Sequence, residues 1–382
     1  MNYIIESNSS PSIDQVGNKA LNLIKLKKVS VAKVPEFFIL TISAYLETLK
    51  YNGTTKPIFF TKRDFIFPPK IKKEIYNLLK NKFKNKKLVI RSSAILEDTP
   101  FLTFAGQFSS FLGIKGIGNI IEAIRKCYNS LLSENAKIYS KVHNLQIRDL
   151  STAIIIQELA PVSISGILFT ADPVFGHKEK IFVESVKGLG DNLTSGKKIT
   201  SYLEIDKKIK NNTLFLEKLR TLAIGVEKIF GDPRDIEWGY DSKNKQFYLF
   251  QSRPVVFGNI KKYLPKVTIQ GKKIICKGKV VSRGEANGKL KVVRGISDLK
   301  NVKKDEIIYI STKNISNKFI GAMSLSKGLL FQGGTLSHFA VIMRELKKPC
   351  LTGLDNTKSL IKHDTQQITL IAEKKTGSIY PS

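Results

Sequence analysis

Residues 328–351, GLLFQGGTLSHFAVIMRELKKPCL, restrict what this chain can fold into more than any other stretch. GLLF is a short, continuous apolar run and reads as a buried strand. Gly333 and Gly334 turn the chain, and Phe339, Ile342, Met343 and Leu346 then recur at helical spacing. Pro349 closes that helix ahead of a further apolar run, PCLTGL. Strand, glycine turn, helix and strand in such quick succession require a layered arrangement of helices on sheet. His338 falls in the first turn of the predicted helix. Unpaired backbone N–H groups and the positive end of the helix dipole stabilise an anion there. Neutral imidazole is also a competent nucleophile near neutral pH. Taken alone, a histidine at a helix start is better explained as a cap, with the glycines serving only the turn.

The same mixed texture runs along the whole chain. QVGNKALNLIKLKK places Leu21, Ile24 and Leu26 at helical spacing, and VPEFFIL is a short apolar strand opened by Pro35. A basic helical segment follows. From Lys87 the pattern changes to the strands LVIRSS and TFAGQFSSFLGI, then a helix over IIEAIRKCYNSLLSENAKIYSKV. STAIIIQEL and SGILFTADP are apolar enough for buried strands, and KIFVESVKGLGD is a strand running into a glycine turn. LRTLAIGVEKIF is helical. Gly258, Pro265 and Gly271 punctuate a polar linker, after which KGKVVSR, GKLKVVRG, EIIYIST and QITLIAEKK read as strands of a compact second region.

Composition excludes several function classes. The formal charge of +31 raises the question of nucleic acid or an anionic surface. The lysines, however, are spread through segments such as KIKKEIYNLLKNKFKNKK, with no zinc finger, recognition helix or aromatic-interleaved motif to dock on a nucleic acid. A solvated lysine-rich face that favours anionic ligands is the expected consequence. No apolar run approaches the roughly 18–20 residues needed to span a bilayer. The start MNYIIESNSSPSID lacks the basic region and apolar core of a signal peptide, so a cytoplasmic location is expected. Cys127, Cys276 and Cys350 are odd in number and in no metal-binding spacing, as reduced structural thiols would be.

DIEWGYD and QFYLFQSRPV, separated by the polar SKNK, form a predicted hairpin. Side chains two apart on a strand share a face, so Gln251 and Arg253 lie together, and the paired strand can present Glu237 beside them. A carboxylate, an amide oxygen and a guanidinium on one face suit Mg²⁺ plus polyphosphate. A surface ion pair between Glu237 and Arg253 is the plainer alternative.

These segments together resemble the family of phosphoenolpyruvate synthase, pyruvate phosphate dikinase and rifampin phosphotransferase. Gly333, Gly334, Thr335, Ser337, His338, Arg344, Glu345 and Pro349 stand, in order, where that family's phosphohistidine motif has its glycine pair, Thr, Ser, catalytic His, Arg-Glu and Pro. Ser282, Gly284, Ala286 and Gly288 resemble the opening of its swivelling domain. VGNKALNL resembles the first ATP motif, which implies that Lys19 contacts nucleotide phosphates. VIRSSAILEDTPFLTFAGQFSSFLGI resembles the second, with Arg91 clamping phosphate and residues 103–110, around Gly106 and Gln107, acting as a lid. IIIQELAPVSISGILFTADP resembles the strand that passes the adenine, implying base contacts at Gln157, Glu158 and Leu159 along a strand edge. Glu184, Gly188 and Gly190 match the Glu and glycine turn near the metal, with Asp191 where Glu is common. Glu237 and Gln251 would bind metal and Arg253 the transferred phosphates.

The resemblance implies an α/β (α+β) fold: an ATP-grasp-like nucleotide-binding domain over residues 1–257, a linker at 258–268, and a smaller swivelling β/β/α phosphohistidine domain over 269–382. It implies ATP and Mg²⁺ as cofactors and a dikinase-type phosphotransferase: His338, with Arg253 as the second catalytic residue, takes a pyrophosphoryl group from ATP, AMP leaves, and phosphohistidine remains once the terminal phosphate is lost. Synthase and dikinase relatives carry a pyruvate-binding barrel, and rifampin phosphotransferase a helical antibiotic-binding domain between its ATP and histidine domains; neither fits here, where the ATP motifs end at Arg253 and the swivelling region starts near residue 270. The acceptor, a small molecule or a protein, is therefore expected between the two domains or on a separate partner. The alternatives are one subunit of a split phosphoenolpyruvate synthase-like enzyme, a noncatalytic ATP-binding regulator, and a basic nucleic-acid-binding module.

Overall fold

The computed structural model describes residues 2–99, 102–104, 106–146, 150–189, 201–260, 271–312 and 317–382. Gly190, Asp191 and the linker from residue 261 onward lie outside them. The chain divides into two compact units. One comprises Met1–Ser163 and Ile224–Pro254, the other Ile164–Ala223 and Val255–Ser382.

The first unit begins with β1 (Ile4–Glu6), α1 (Ile13–Leu26), β2 (Phe37–Leu40), α2 (Ile42–Tyr51), α3 (Pro69–Lys82), β3 (Leu88–Ala94), β4 (Ser110–Ile114), α4 (Ile117–Ser130), α5 (Glu134–Val142) and β5 (Thr152–Glu158). The strands form an antiparallel sheet in the order β1-β2-β5-β3-β4. Central β5 is buried on both faces, which explains its unbroken apolar run. The single helix expected over residues 120–142 is two. It breaks near Leu131, and Ser133 caps α5 by accepting from the Ala136 amide. In α1 the buried face is Val16, Ala20, Leu23 and Leu26, whereas Leu21 and Ile24 are only half-buried.

A break inside α1 accounts for the glycine of VGNKAL. Gly17 has φ +72°, and the Ser93 hydroxyl of β3 enters the helix there, donating to the Val16 carbonyl at 2.6 Å and accepting from the Ala20 amide at 2.9 Å. It thus bridges the two groups that an uninterrupted helix would join directly. A Cβ on Gly17 would lie 2.2 Å from the Ser93 carbonyl oxygen. Gly17→Ala is therefore expected to destabilise the first unit by about 2–4 kcal/mol, combining left-handed backbone strain with overpacking. Denaturant unfolding checks this; a loss below about 1 kcal/mol would show that the turn relaxes freely.

The chain continues through β6 (Ile164–Phe169), β7 (Lys180–Lys187) and β8 (Ser201–Asp206), which pair antiparallel within the second unit, then α6 (Leu214–Phe230). β9 (Arg234–Asp241) and β10 (Gln246–Pro254) form the predicted hairpin in the first unit.

The rest of the second unit is a closed seven-stranded barrel. It is built from β11 (Cys276–Ser282), β12 (Gly284–Val293), β13 (Glu306–Ile310), α7 (Ile320–Leu325), β14 (Gly328–Phe331), α8 (His338–Glu345), β15 (Cys350–Thr352), α9 (Thr357–Lys362), β16 (Gln367–Ala372) and β17 (Thr376–Pro381). The order around the barrel is β11-β15-β14-β13-β12-β16-β17. The run β12, β13, β14, β15 is parallel, so each connection must cross over, and α7 and α8 supply two of those crossovers. Val280, Leu290, Val292, Ile307, Leu330, Leu351, Ile368, Leu370 and Ile379 belong to its core. β17, which the sequence did not announce, joins β11 to β16 and closes the barrel. All three cysteines are buried and unbridged. Among the described residues no helix is long and apolar enough to cross a membrane.

Candidate active site

The hairpin gathers the polar groups of the first unit. Pairing runs regularly from Gln246 opposite Asp241 to Leu249 opposite Trp238, then shifts at a bulge, so that Gln251 faces Glu237 and Arg253 faces Asp235. The bulged residue is Phe250, whose carbonyl accepts from Arg91 Nη1 at 2.8 Å. Bulges re-aim side chains in this way near functional sites. Glu237, Gln251, Asp235 and Arg253 thereby share one face.

Arg91 enters from β3. It is 8% exposed, and its Nη2 donates both to Glu237 Oε2 at 3.1 Å and to Gln251 Oε1. The ion pair considered from sequence, Glu237 with Arg253, is not formed: Glu237 pairs with Arg91, and Arg253 Nε donates to Asp235 at 2.7 Å. Burial disfavours the Arg253 guanidinium, but Asp235, Asp98 and Glu237 outweigh that and raise its pKa. Lys19, 6% exposed on α1, forms a short ion pair with Glu97. Asp98 accepts from Gln251 Nε2 at 2.7 Å. Burial raises its carboxyl to about 6, against the pull of Lys19. Sequence reasoning missed Glu97, Asp98 and Asp235. The paired acids directly after the RSS strand were the available signal.

The pair of oxygens on Glu237 and Gln251 fits a divalent cation. Both already converge on one cationic nitrogen of Arg91, so a cation has a common point to occupy between them. Among the described residues no three His, Cys, Asp or Glu side chains form a cage. Two protein oxygens completed by phosphate and water is the Mg²⁺ pattern.

The other predicted residues are placed as follows. Gly106 lies in a turn with φ +68°, and Gln107 is buried beside it. Phe104 of the same loop is fixed in the core, stacked on Phe108 with ring centroids 4.9 Å apart. The strand edge expected at Gln157, Glu158 and Leu159 is corrected by the sheet order, because β5 is central and paired on both sides. The Glu158 amide donates to the Glu36 carbonyl at 2.8 Å and the Leu159 amide to the Lys87 carbonyl at 2.9 Å. Gln157 Nε2 donates to the Pro35 carbonyl at 3.2 Å.

In the second unit, α8 begins at His338, and Ser337 caps it by accepting from the Ala340 amide. The glycine loop before it is held at three points. Thr352 Oγ1 donates to the Gly333 carbonyl at 2.8 Å and accepts from its amide at 3.1 Å. Arg344, fully buried on α8, donates to the Thr335 carbonyl at 3.2 Å. Glu184 Oε1, on β7, accepts from the Thr335 hydroxyl at 2.9 Å and the Leu336 amide at 3.3 Å. Burial raises the Glu184 pKa, while those two donors and Arg344 oppose the rise. Glu184, expected from sequence on the cofactor side, is here a partner of the loop that leads to His338.

Residues 63–214 and 204–268 match the family described as "Pyruvate phosphate dikinase, AMP/ATP-binding domain", and residues 302–375 the one described as "PEP-utilising enzyme, mobile domain". A probable phosphoenolpyruvate synthase of Methanothermobacter thermautotrophicus is 25% identical over 91% of this chain and 59% of that protein. One of Archaeoglobus fulgidus is 26% identical over 96% and 56%, and the phosphoenolpyruvate synthase of Neisseria meningitidis 25% identical over 99% and 58%. The chain thus spans less than three-fifths of the length of these curated relatives. Solved structures are only faintly similar: N5-carboxyaminoimidazole ribonucleotide synthetase in its ADP complex covers 98% of this chain and 69% of that one, at 8% identity and a TM-score of 0.34. With more than half of its residues matched by the dikinase nucleotide-binding family and the mobile-domain match following in order, the chain belongs to the phosphoenolpyruvate synthase and pyruvate phosphate dikinase family.

Proposed function

We propose that this protein is an ATP-dependent phosphotransferase of dikinase type that forms phosphohistidine at His338 and passes the phosphoryl group to an acceptor. The observation that carries the reading is the convergence of Arg91, Glu237 and Gln251, with Lys19 and Arg253 each balanced by its own carboxylate close by. Phosphoryl transfer asks a protein mainly for positioning and charge neutralisation, and this set supplies both. Lys19, Arg91 and Arg253 bind the phosphates, with Gly106 and Gln107 over them, and Glu237 and Gln251 hold Mg²⁺, which neutralises charge on the polyphosphate when bound. The adenine lies against residues 157–159. The engaged amides of Glu158 and Leu159 leave the base to be read by accepting groups.

In the reaction His338 attacks the β-phosphorus, the bond to the α-phosphate oxygen breaks, and AMP departs. The pyrophosphoryl group then loses its terminal phosphate to water or to inorganic phosphate, leaving phosphohistidine. Functionally, residues 1–257 bind nucleotide and residues 269–382, joined through 258–268, carry the phosphoryl group; the two family matches support that partition. The contact of Glu184 with Thr335 and Leu336 supports a second task for Glu184, seating the histidine loop.

The test is to incubate the protein with Mg²⁺ and ATP labelled in the β-phosphate. Acid-labile, base-stable protein label with release of AMP is expected. A folded, ATP-binding sample that takes up no label would overturn the reading in favour of a noncatalytic nucleotide-binding protein.

A further inference from the structure

An amide side chain can ligate a cation only through its oxygen, so Gln251 serves the metal only if Oε1, and not Nε2, faces Glu237. Two neighbours decide this. Arg91 Nη2 donates to Oε1 while also donating to Glu237 Oε2 at 3.1 Å, and Asp98 Oδ2 accepts from Nε2 at 2.7 Å. A guanidinium can only donate and a carboxylate can only accept. Turning the amide over would set donor against donor and acceptor against acceptor in a place where Gln251 and Asp98 are 6% and 3% exposed. Of the two neighbours, Arg91 is also a phosphate ligand in the reading above and is shared with Glu237 and the Phe250 carbonyl, whereas Asp98 meets the amide at its nitrogen. Its own place is fixed, since its backbone sits at φ +56°, its amide donates to the Thr103 carbonyl at 3.4 Å, and the preceding Glu97 is tied to Lys19.

We infer that Asp98 is a positioning residue: by accepting from Gln251 Nε2 it turns the amide oxygen toward Glu237 and makes the pair a cation ligand. The inference rests on the proposed metal role of Glu237 and Gln251. It is tested by titrating Mn²⁺ into the full chain in the presence of a non-hydrolysable ATP analogue, following the free ion by electron paramagnetic resonance, with thermal unfolding of every variant in parallel. Asp98→Asn offers Gln251 either end of an amide and removes the preference, so Mn²⁺ affinity should fall about 10–100-fold, as it does for outer partners of metal ligands. In the double variant Asp98→Asn/Gln251→Glu, a carboxylate at 251 needs no orientation and accepts from the new amide, so Mn²⁺ affinity should return to near its original value. Wild-type affinity in Asp98→Asn, with weakened binding in Glu237→Gln, would overturn the role of Asp98 and leave the metal pair standing. A loss that the double variant does not recover would also overturn it, making Asp98 merely structural. Unchanged affinity in Glu237→Gln as well would overturn the metal pair, and the inference with it.

Discussion

His338→Ala is expected to bring protein labelling from β-labelled ATP down to background while the affinity for nucleotide stays unchanged. The separation follows from where the groups lie. The proposed phosphate-binding cations and metal ligands sit on α1, β3, β9 and β10 of the first unit, whereas His338 opens α8 of the second. Removing the proposed nucleophile deletes the covalent step and leaves the proposed nucleotide ligands intact. The fold should also survive. The turn is held by Thr352, Arg344 and Glu184, and the helix is capped by Ser337, all of which the variant retains. Equilibrium binding of ATP, thermal unfolding and acid-labile label are measured on one preparation. Label that persists in the variant would place the nucleophile elsewhere.

The second large effect is expected at Arg91, where folding and binding should fall together. Arg91→Ala removes the donor shared by Glu237, Gln251 and the Phe250 carbonyl, leaving the buried Gln251 oxygen unpaired and the 27% exposed Glu237 without its counter-charge. Losing such a charge-assisted, partly buried contact costs about 1.5–3 kcal/mol. Nucleotide affinity should fall by about 100-fold, equivalent to about 2.7 kcal/mol. Arg91→Lys separates charge from geometry. An ammonium is a point charge on a flexible stem and cannot span a carbonyl and two side-chain oxygens as the planar fork does, so it should recover only part of either loss. Denaturant unfolding gives the first quantity and calorimetric titration of ATP the second. Full recovery by lysine would reduce Arg91 to a simple counter-charge.

Much of this was legible in the chain. Apolar periodicity announced many of the strands and helices of both units, including the strand, turn and helix that lead to His338, but not β8, α7 or α9. The alternation rule put Gln251 and Arg253 on one face. Residue chemistry put forward Glu237, Gln251 and Arg253, because phosphate and Mg²⁺ need cations and hard oxygens, whereas Lys19 and Arg91 came only from the family resemblance. Other parts were not legible. β17 is a short run of mixed polarity whose only reason to be a strand is the gap it fills between β11 and β16. The resemblance implied an accessible strand edge at the end of β5, and only the sheet order shows neighbours on both sides.

What the sequence by itself determined is which groups are available and which local elements carry them, since both follow from side-chain chemistry and from periods of 3.6 and 2. The tertiary structure alone decided who meets whom. Counted from the hairpin turn without interruption, Gln251 would have faced Ile236; the bulge at Phe250 moves it opposite Glu237, and nothing in the local residues marks that slip. The pairing of Arg91 with Gln251 spans 160 residues, and that of Gln251 with Asp98 spans 153. Such partners are chosen by how sheets and helices stack. Once buried, each cation must take the nearest carboxylate or carbonyl that packing brings to it, because burial leaves a charge no water to turn to.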